Sequence, residues 1–216
     1  MTEKAPSRVG HRRAAVERQI LDAAWTLLAR EGVAALSARE VARAVGLRQQ
    51  SLTYYFRTKQ DLLDALFADG FADLRRHLDD VPVRRDPVSS VASLAEAVVR
   101  YCARNPARYH LMFQRTVPGF VPTPASHAIA LGCLRALTDR LRVAGVTEPR
   151  DVALVRGLIG GLASEQIANE PGGRRYVAEI RRGIRILLES LAPEPGPDRL
   201  SSGAPARPPE PARGRP

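Results

Sequence analysis

Apolar residues recur at helical spacing along almost the whole chain, and no segment shows the alternation of apolar and polar residues that is typical of a strand. Three prolines directly follow residues that can cap a helix, in the pairs Asp86-Pro87, Asn105-Pro106 and Thr123-Pro124. Proline is favoured at the first position of a helix, because the amide that it lacks would have no partner there. The sequence therefore predicts an all-α fold of about nine helices.

Composition divides the chain into four parts. We expect a flexible arm over 1–11, a first helical domain over 12–74, a larger helical domain over 75–192 and a disordered tail over 193–216. The tail has eight prolines in 24 residues and almost nothing to bury. Within the helical part, the first helix is predicted over about 12–31, and the last two over about 148–169 and 173–191.

Several classes of protein are disfavoured by what the sequence lacks. No apolar run is long enough for a membrane span, and the N-terminus has no apolar centre like that of a signal peptide. The two cysteines, Cys102 and Cys133, lie in apolar helical patterns without metal-ligand spacing. We therefore expect a reduced cytoplasmic protein with no disulfide, no metal site and no cofactor.

The stretch from Ser37 to Leu63 reads as a short helix, a glycine break and a second short helix that is polar and aromatic. Ser37 and Glu40 match a capping box, and Gly46 accepts the backbone conformation of a tight turn. This pattern predicts a helix-turn-helix over about 37–56. Its small core is predicted to contain Val41, Ala44, Val45, Leu47 and Leu52.

The outward residues of the second helix match the chemistry of DNA bases. These residues are Arg48, Gln49, Gln50, Ser51, Thr53 and Tyr54. Glutamine pairs well with adenine and arginine with guanine, while serine and threonine can contact either base. Tyr55, Lys59 and the free amides of a helix that begins at Thr58 could bind phosphate oxygens. Residues 1–60 also hold 11 Lys/Arg against 5 Asp/Glu, as expected for a surface that meets a polyanion such as double-stranded DNA. Solvated faces of an arginine-rich protein are the alternative explanation of this charge.

At these residues the chain resembles the TetR family of transcriptional regulators. The resemblance covers about residues 14–74 and includes the text AAWTLLAREGVAALSAREVARAVGLRQQSLTYYFRTKQDLL. Capping residues, turn, aromatic residues and Lys59 all fall in register with the family pattern. The resemblance implies that Arg39 and Gln49 reach base edges, and that Tyr55 and Lys59 hold phosphates. It further implies a homodimer on a palindromic operator and a small-molecule effector of unknown identity.

The chain departs from the family pattern at three positions of the recognition helix. Arg48 stands where serine is common, Gln50 where glycine or proline is common, and Thr53 where tyrosine is common. These differences bear on the operator sequence, because they change side chains that face the bases.

One later helix combines apolar residues with small ones, namely Gly157, Gly160, Gly161 and Ala163. A glycine inside a helix costs about 1 kcal/mol relative to alanine, and close helix approach could offset this cost. From the resemblance we predict that the last two helices form a four-helix bundle with a second subunit. Tight packing within one subunit is the alternative.

A second set of residues could line an effector pocket: Tyr101, Tyr109, Met112, Phe113, Phe120, His127 and Leu131. Core packing is the alternative for each of them. The chain contains none of the common enzyme motifs for phosphate binding, serine nucleophiles or zinc hydrolysis. We predict a ligand-responsive repressor and not an enzyme. Two alternatives are a nucleoid-type DNA-binding protein of low specificity and a helical enzyme that uses the pocket.

Overall fold

The computed structural model describes residues 8–33, 36–114 and 116–191. In these ranges the chain forms nine helices and no strand, which confirms the all-α prediction for the described part. The helices are α1 (Arg8–Glu31), α2 (Ala38–Ala44), α3 (Gln49–Tyr55), α4 (Lys59–Asp79), α5 (Pro87–Arg104), α6 (Pro106–Phe113), α7 (Pro124–Val143), α8 (Pro149–Asn169) and α9 (Arg175–Leu191). No described helix is both long enough and apolar enough to cross a membrane.

The first helix begins four residues earlier than predicted, at Arg8. The arm predicted over 1–11 is therefore too long, since residues 8–11 belong to α1. The glycine at position 10 is a poor helix former, but a single glycine costs only about 1 kcal/mol within a long helix. The rest of the arm, 1–7, and the predicted tail lie outside the described residues.

The proline-marked helix starts are where the sequence predicts them. Asp86 accepts a hydrogen bond from the amide of Ser89 at 2.8 Å, and Thr123 accepts one from the amide of Ser126 at 3.3 Å. Asn105 also precedes a helix, but its side-chain amide donates to the carbonyl of Tyr101 at 2.9 Å instead. Local capping thus determines where α5 and α7 begin.

Two hydrophobic cores divide the chain into a head and a body. The head core is formed by α1 to α4 and includes Ile20, Val41, Leu52 and Leu63. In the body, α5 is the central helix and packs against α4 and α6 to α9. Leu111 of α6 is buried in the head core, so α6 joins the two parts.

A half-buried carboxylate, Asp69 of α4, makes the polar contacts at the head–body junction. It accepts hydrogen bonds from Trp25 Nε1 at 2.7 Å, from Arg18 at 2.6 Å and from Arg108 of α6 at 3.2 Å. The Arg108 guanidinium also lies over the Trp25 ring, 4.4 Å from its centroid. Burial by itself raises the pKa of Asp69, but the hydrogen bonds from Arg18 and Trp25 more than compensate and lower it below its usual value.

The turn between α8 and α9 is held by a buried glutamine. Gln166 accepts hydrogen bonds from the amides of Tyr176 and Val177 and donates to the carbonyl of Glu170. The first-turn amides of α9 would otherwise have no partner within the helix. Gln166 therefore sets the angle at which α9 leaves α8.

Candidate nucleic-acid interface

The turn between α2 and α3 depends on one residue with a positive φ. Ser37 caps α2 by accepting a hydrogen bond from the amide of Glu40 at 3.2 Å. Gly46 follows α2 with φ of 69°, and the next amide, that of Leu47, donates to the carbonyl of Ala42 at 2.9 Å. This left-handed conformation ends α2 and directs the chain into α3.

The core of the helix-turn-helix differs from the prediction at one position. Val41 and Leu52 are fully buried, and Val45 and Leu47 are half-buried, as expected. Ala44 is exposed, so its assignment to the core is wrong, and Ala42 is buried instead. Positions 41, 42 and 45 share one helical face, which packs toward α1 and leaves position 44 on the solvent side.

We expect Gly46→Ala to lower the free energy of unfolding by about 1–2 kcal/mol, because alanine resists the left-handed conformation. Gly132→Ala on α7 is the control. Its new methyl group would meet only Arg135, at 3.9 Å, within an ordinary helix. This control should gain up to about 1 kcal/mol. Urea unfolding followed by circular dichroism measures both; a Gly46→Ala protein as stable as wild type would contradict the requirement for glycine.

The helix α3 presents a polar surface to solvent. Six of its predicted contact residues are exposed: Arg48, Gln49, Gln50, Ser51, Thr53 and Tyr54. Tyr54 is the most prominent aromatic residue, with 69% of its surface exposed, and its ring meets the half-buried Tyr55 edge-on at 5.3 Å. The Thr53 hydroxyl donates to the carbonyl of Gln49 at 3.1 Å, so its methyl group is the part left for an outside contact.

Four exposed cations of α2 and of the segments that flank α3 have no carboxylate partner among the described residues. Arg39, Arg48, Arg57 and Lys59 form no ion pair with any residue that the structure describes. Elsewhere in the head, arginines are commonly paired, as Arg43 is with Glu40. Exposed cations without carboxylate partners favour a polyanionic partner. Arg57 was missed by sequence reasoning, although its position just before the Thr58 cap could have indicated it.

Two reciprocal hydrogen bonds cap the start of α4, next to Arg57 and Lys59. Thr58 accepts from the amide of Asp61 at 3.1 Å, and Asp61 accepts from the amide of Thr58 at 3.0 Å. This reciprocal capping box does not use the amides of Lys59 and Gln60. As first-turn donors, these two amides have no acceptor within the helix. A phosphate oxygen could accept hydrogen bonds from both.

A second residue missed by sequence reasoning is Arg13 of α1. Its guanidinium lies 5.3 Å from the centroid of the Tyr54 ring, and it forms an ion pair with Glu17 at 2.8 Å. The basic run His11-Arg12-Arg13 was the available signal. The contact adds the beginning of α1 to the surface that α3 presents.

The seven predicted pocket residues do not surround one cavity in the described structure. Tyr101 and Tyr109 are buried and donate to the carbonyls of Gly70 and Gly160, both at 3.2 Å. The rings of Phe113 and Phe120 pack against Phe71 and Phe67, at 5.3 and 6.0 Å respectively, and Met112 packs against Gly70. His127 and Leu131 are exposed on α7. Core packing therefore accounts for Tyr109 and Met112.

The glycines of α8 face open space. A Cβ atom added to Gly157, Gly160 or Gly161 would meet no atom of the described residues within 4 Å outside the nearby backbone of α8. Packing within one subunit, the alternative considered above, does not account for them. Ala163 is an exception to the predicted face, because it is buried in the core of its own subunit. Position 163 lies on the apolar face of α8, which packs against α5 and α9.

Sequence comparisons agree with this geometry. The profile described as "Bacterial regulatory proteins, tetR family" matches residues 20–66, and that of "Tetracyclin repressor-like, C-terminal domain" matches residues 91–169. This chain belongs to the TetR family of DNA-binding transcriptional regulators. A helix-turn-helix-type transcriptional regulator of Mycobacterium tuberculosis, Rv1816, is 31% identical over 62% of this chain and 60% of its own length. The chain thus spans less than two thirds of that relative.

Two further TetR-type proteins resemble the chain over more of its length. The class A tetracycline repressor protein from transposon 1721 of Escherichia coli is 28% identical over 83% of this chain and 82% of its own length. The crystal structure of the TetR family transcriptional regulator PfmR from Thermus thermophilus superposes with a TM-score of 0.60 at 24% identity, covering 79% of this chain and 97% of that one. The structural match shows a shared fold.

Proposed function

We propose that this TetR-family regulator is a ligand-responsive repressor that binds a palindromic operator as a homodimer in the cytoplasm. One observation carries the proposal: Leu52 anchors α3 in the head core, while the polar side chains from Gln49 to Tyr54 are exposed. A helix held by one apolar residue and polar elsewhere has the dimensions and the chemistry to enter a major groove. The comparisons favour neither the nucleoid-type protein nor the helical enzyme.

The exposed residues divide into two roles by their chemistry. Gln49, Gln50 and Arg48 stand at the start of α3, where side chains reach base edges in helix-turn-helix proteins, and Arg39 on α2 is the other base-reading candidate. Ser51, Thr53 and Tyr54 add shorter polar contacts. Tyr55, Thr58 and Lys59 lie at the end of α3 and the start of α4, where a phosphate would meet a hydroxyl, an ammonium and free amides.

The dimer is proposed on the faces of α8 and α9 that the single chain leaves uncovered. Leu154 on α8 and Ile186 on α9 expose 54% and 53% of their surfaces. Gly157 and Gly161 lie on the same helix and have no side chains. At these positions a helix of a second subunit could therefore approach α8 closely. A two-fold pair would hold the two heads at a set distance, as binding to two half-sites requires.

Selection from random double-stranded DNA tests the proposed function. The full chain should enrich a palindromic sequence with two half-sites, and a footprint should cover both. If the chain binds DNA without enriching any sequence, the nucleoid-type alternative is correct. If it binds no DNA at low salt, the proposed function fails.

Two substitutions should separate base reading from phosphate binding. Gln49→Ala is expected to weaken binding to the selected operator by about 1–3 kcal/mol and to leave random DNA unaffected. Lys59→Ala should weaken binding to both DNAs and lower the salt dependence by about one phosphate contact per half-site. Arg135→Ala, which removes an exposed charge on α7, is the control for net charge. Fluorescence titrations at several salt concentrations measure all three, and equal losses on both DNAs would remove Gln49 from the base-reading set.

A further inference from the structure

A cleft of about 360 Å³ opens where the C-terminal ends of α4 and α5 meet. Its volume lies within the range of small-molecule sites. Of the seven residues that the sequence analysis assigned to an effector pocket, only Tyr101 lines this cleft, and 5% of its surface is exposed. The remaining lining is polar and charged, so the cleft differs in chemistry from an apolar effector pocket inside the body.

Two opposite charges line the cleft without neutralising each other. Arg104 at the end of α5 and Asp80 at the end of α4 are exposed, and neither forms an ion pair with any described residue. A second guanidinium in the lining, that of Arg76, is held by Asp73 at 2.9 Å. The C-terminal carbonyls of α4 add partial negative charge beside Asp80, whereas those of α5 lie beside Arg104. The cleft therefore has a positive pole and a negative pole.

We propose that this cleft binds a small zwitterion of the α-amino acid type, with its carboxylate on Arg104 and its ammonium on Asp80. A simple anion would satisfy Arg104 and face repulsion from Asp80, and a simple cation would have the opposite problem. A ligand that carries both charges satisfies both poles, and charge-assisted hydrogen bonds are the strong ones.

Two further groups of the lining complement this ligand. Asn105 uses its side-chain nitrogen to donate to the carbonyl of Tyr101. Its side-chain oxygen is an acceptor that an ammonium group can use. The ring of His77 lies 5.8 Å from the ring of Tyr101 and is exposed on the other side, where it offers a flat wall to the ligand side chain.

The cleft is connected to the head by a short chain of polar contacts. The Tyr101 hydroxyl lies 3.0 Å from a carboxylate oxygen of Asp73 and 3.2 Å from the carbonyl of Gly70, so these two acceptors share its one proton. Asp73 in turn lies 3.7 Å from the guanidinium of Arg108. Arg108 in turn contacts Asp69 and Trp25 at the head–body junction. An occupant that rearranges Arg76 and Asp73 changes the charges around Arg108. That regulatory consequence rests on the proposed function, whereas the binding itself does not.

Calorimetric titration of the full chain with each of the twenty L-amino acids tests the proposal. At least one should bind, and its deaminated and decarboxylated analogues should each bind at least about tenfold more weakly. For phenylalanine these analogues are 3-phenylpropanoate and 2-phenylethylamine. Absence of binding by all twenty, or equal binding of the deaminated acid, overturns the proposal.

Substitutions locate the site. Arg104→Met and Asp80→Asn should each weaken binding of the same amino acid at least about tenfold. Arg85→Met, which removes an exposed guanidinium outside the cleft, should leave it unchanged. All three positions are exposed, and circular dichroism verifies that the variants fold. Binding that survives both cleft substitutions overturns the proposal.

The two proposals fail separately. The ligand-free protein is titrated with the selected operator, and the amino acids are titrated without DNA. A chain that binds an amino acid in the cleft but no DNA contradicts only the proposed function. A chain that binds its operator but no amino acid contradicts only the cleft assignment.

Discussion

Gly161→Leu is expected to convert the protein into folded monomers with greatly reduced operator affinity. Within one chain a Cβ at this position would meet nothing within 4 Å outside the nearby backbone of α8, so we expect the substitution to leave the subunit's own packing intact. In the proposed dimer it places a branched side chain where two helices approach. Overpacking costs about 1–3 kcal/mol per site, and the two-fold axis applies that cost twice, which gives about 2–6 kcal/mol per dimer.

Sedimentation and operator titration of the same sample measure this result. The control is Ala128→Leu, which adds an exposed leucine to α7, away from α8 and α9. Thermal unfolding of the monomeric variant should still show a helical, cooperatively folded chain. If Gly161→Leu remains a dimer with normal affinity, the interface lies elsewhere.

Asp69→Ala should lower the free energy of unfolding by about 2–4 kcal/mol. The substitution leaves the Trp25 indole N–H and the Arg108 guanidinium without their shared acceptor at the head–body junction. Removing one partner of a buried ion pair costs about 3–5 kcal/mol, and the partial exposure of Arg18 reduces that value here. Asp139→Ala, which breaks an exposed pair with Arg142, is the control and should cost less than about 1 kcal/mol.

The effect of Asp69→Ala should depend on pH in one direction. The folded-state pKa of Asp69 is lowered, so its contribution is complete above the unfolded-state value of about 3.9 and is lost as the pH falls through the folded-state value. The difference in urea midpoint between wild type and variant should therefore be constant from pH 7 to about pH 5 and shrink at lower pH. A difference that does not change with pH would show that Asp69 contributes by packing alone.

Local chemistry made much of the fold predictable from the sequence. The caps at Ser37, Thr58, Asp86 and Thr123 act on amides three residues away, so they operate in any tertiary context. Gly46 is required by the backbone of its own turn. The polar surface of α3 follows from helical period alone, because Leu52 is its single buried residue.

The predictions that depend most on tertiary structure concern which residues meet across helices. The seven residues assigned to a pocket have helical spacing whether they line a pocket or pack in the core. Only the packing of the helices decides which of them are buried by their neighbours. Ala42 and Ala44 are chemically identical, and the prediction chose position 44, which is three residues from Val41, whereas the face that packs toward α1 is formed by positions 41, 42 and 45.

The sequence by itself determined the nine helices of the described ranges, the turn at Gly46 and the polar character of α3, because each depends on residues within about one helical turn of one another. Only the tertiary structure decided that Asp69 receives donors from α1 and α6, and that the α8 glycines remain uncovered. It also decided that Arg104 and Asp80 share a cleft. The groups that meet in this way are far apart along the chain, as Arg18 and Asp69 are at a separation of 51 residues. Their contacts arise from helix packing, which local spacing does not encode.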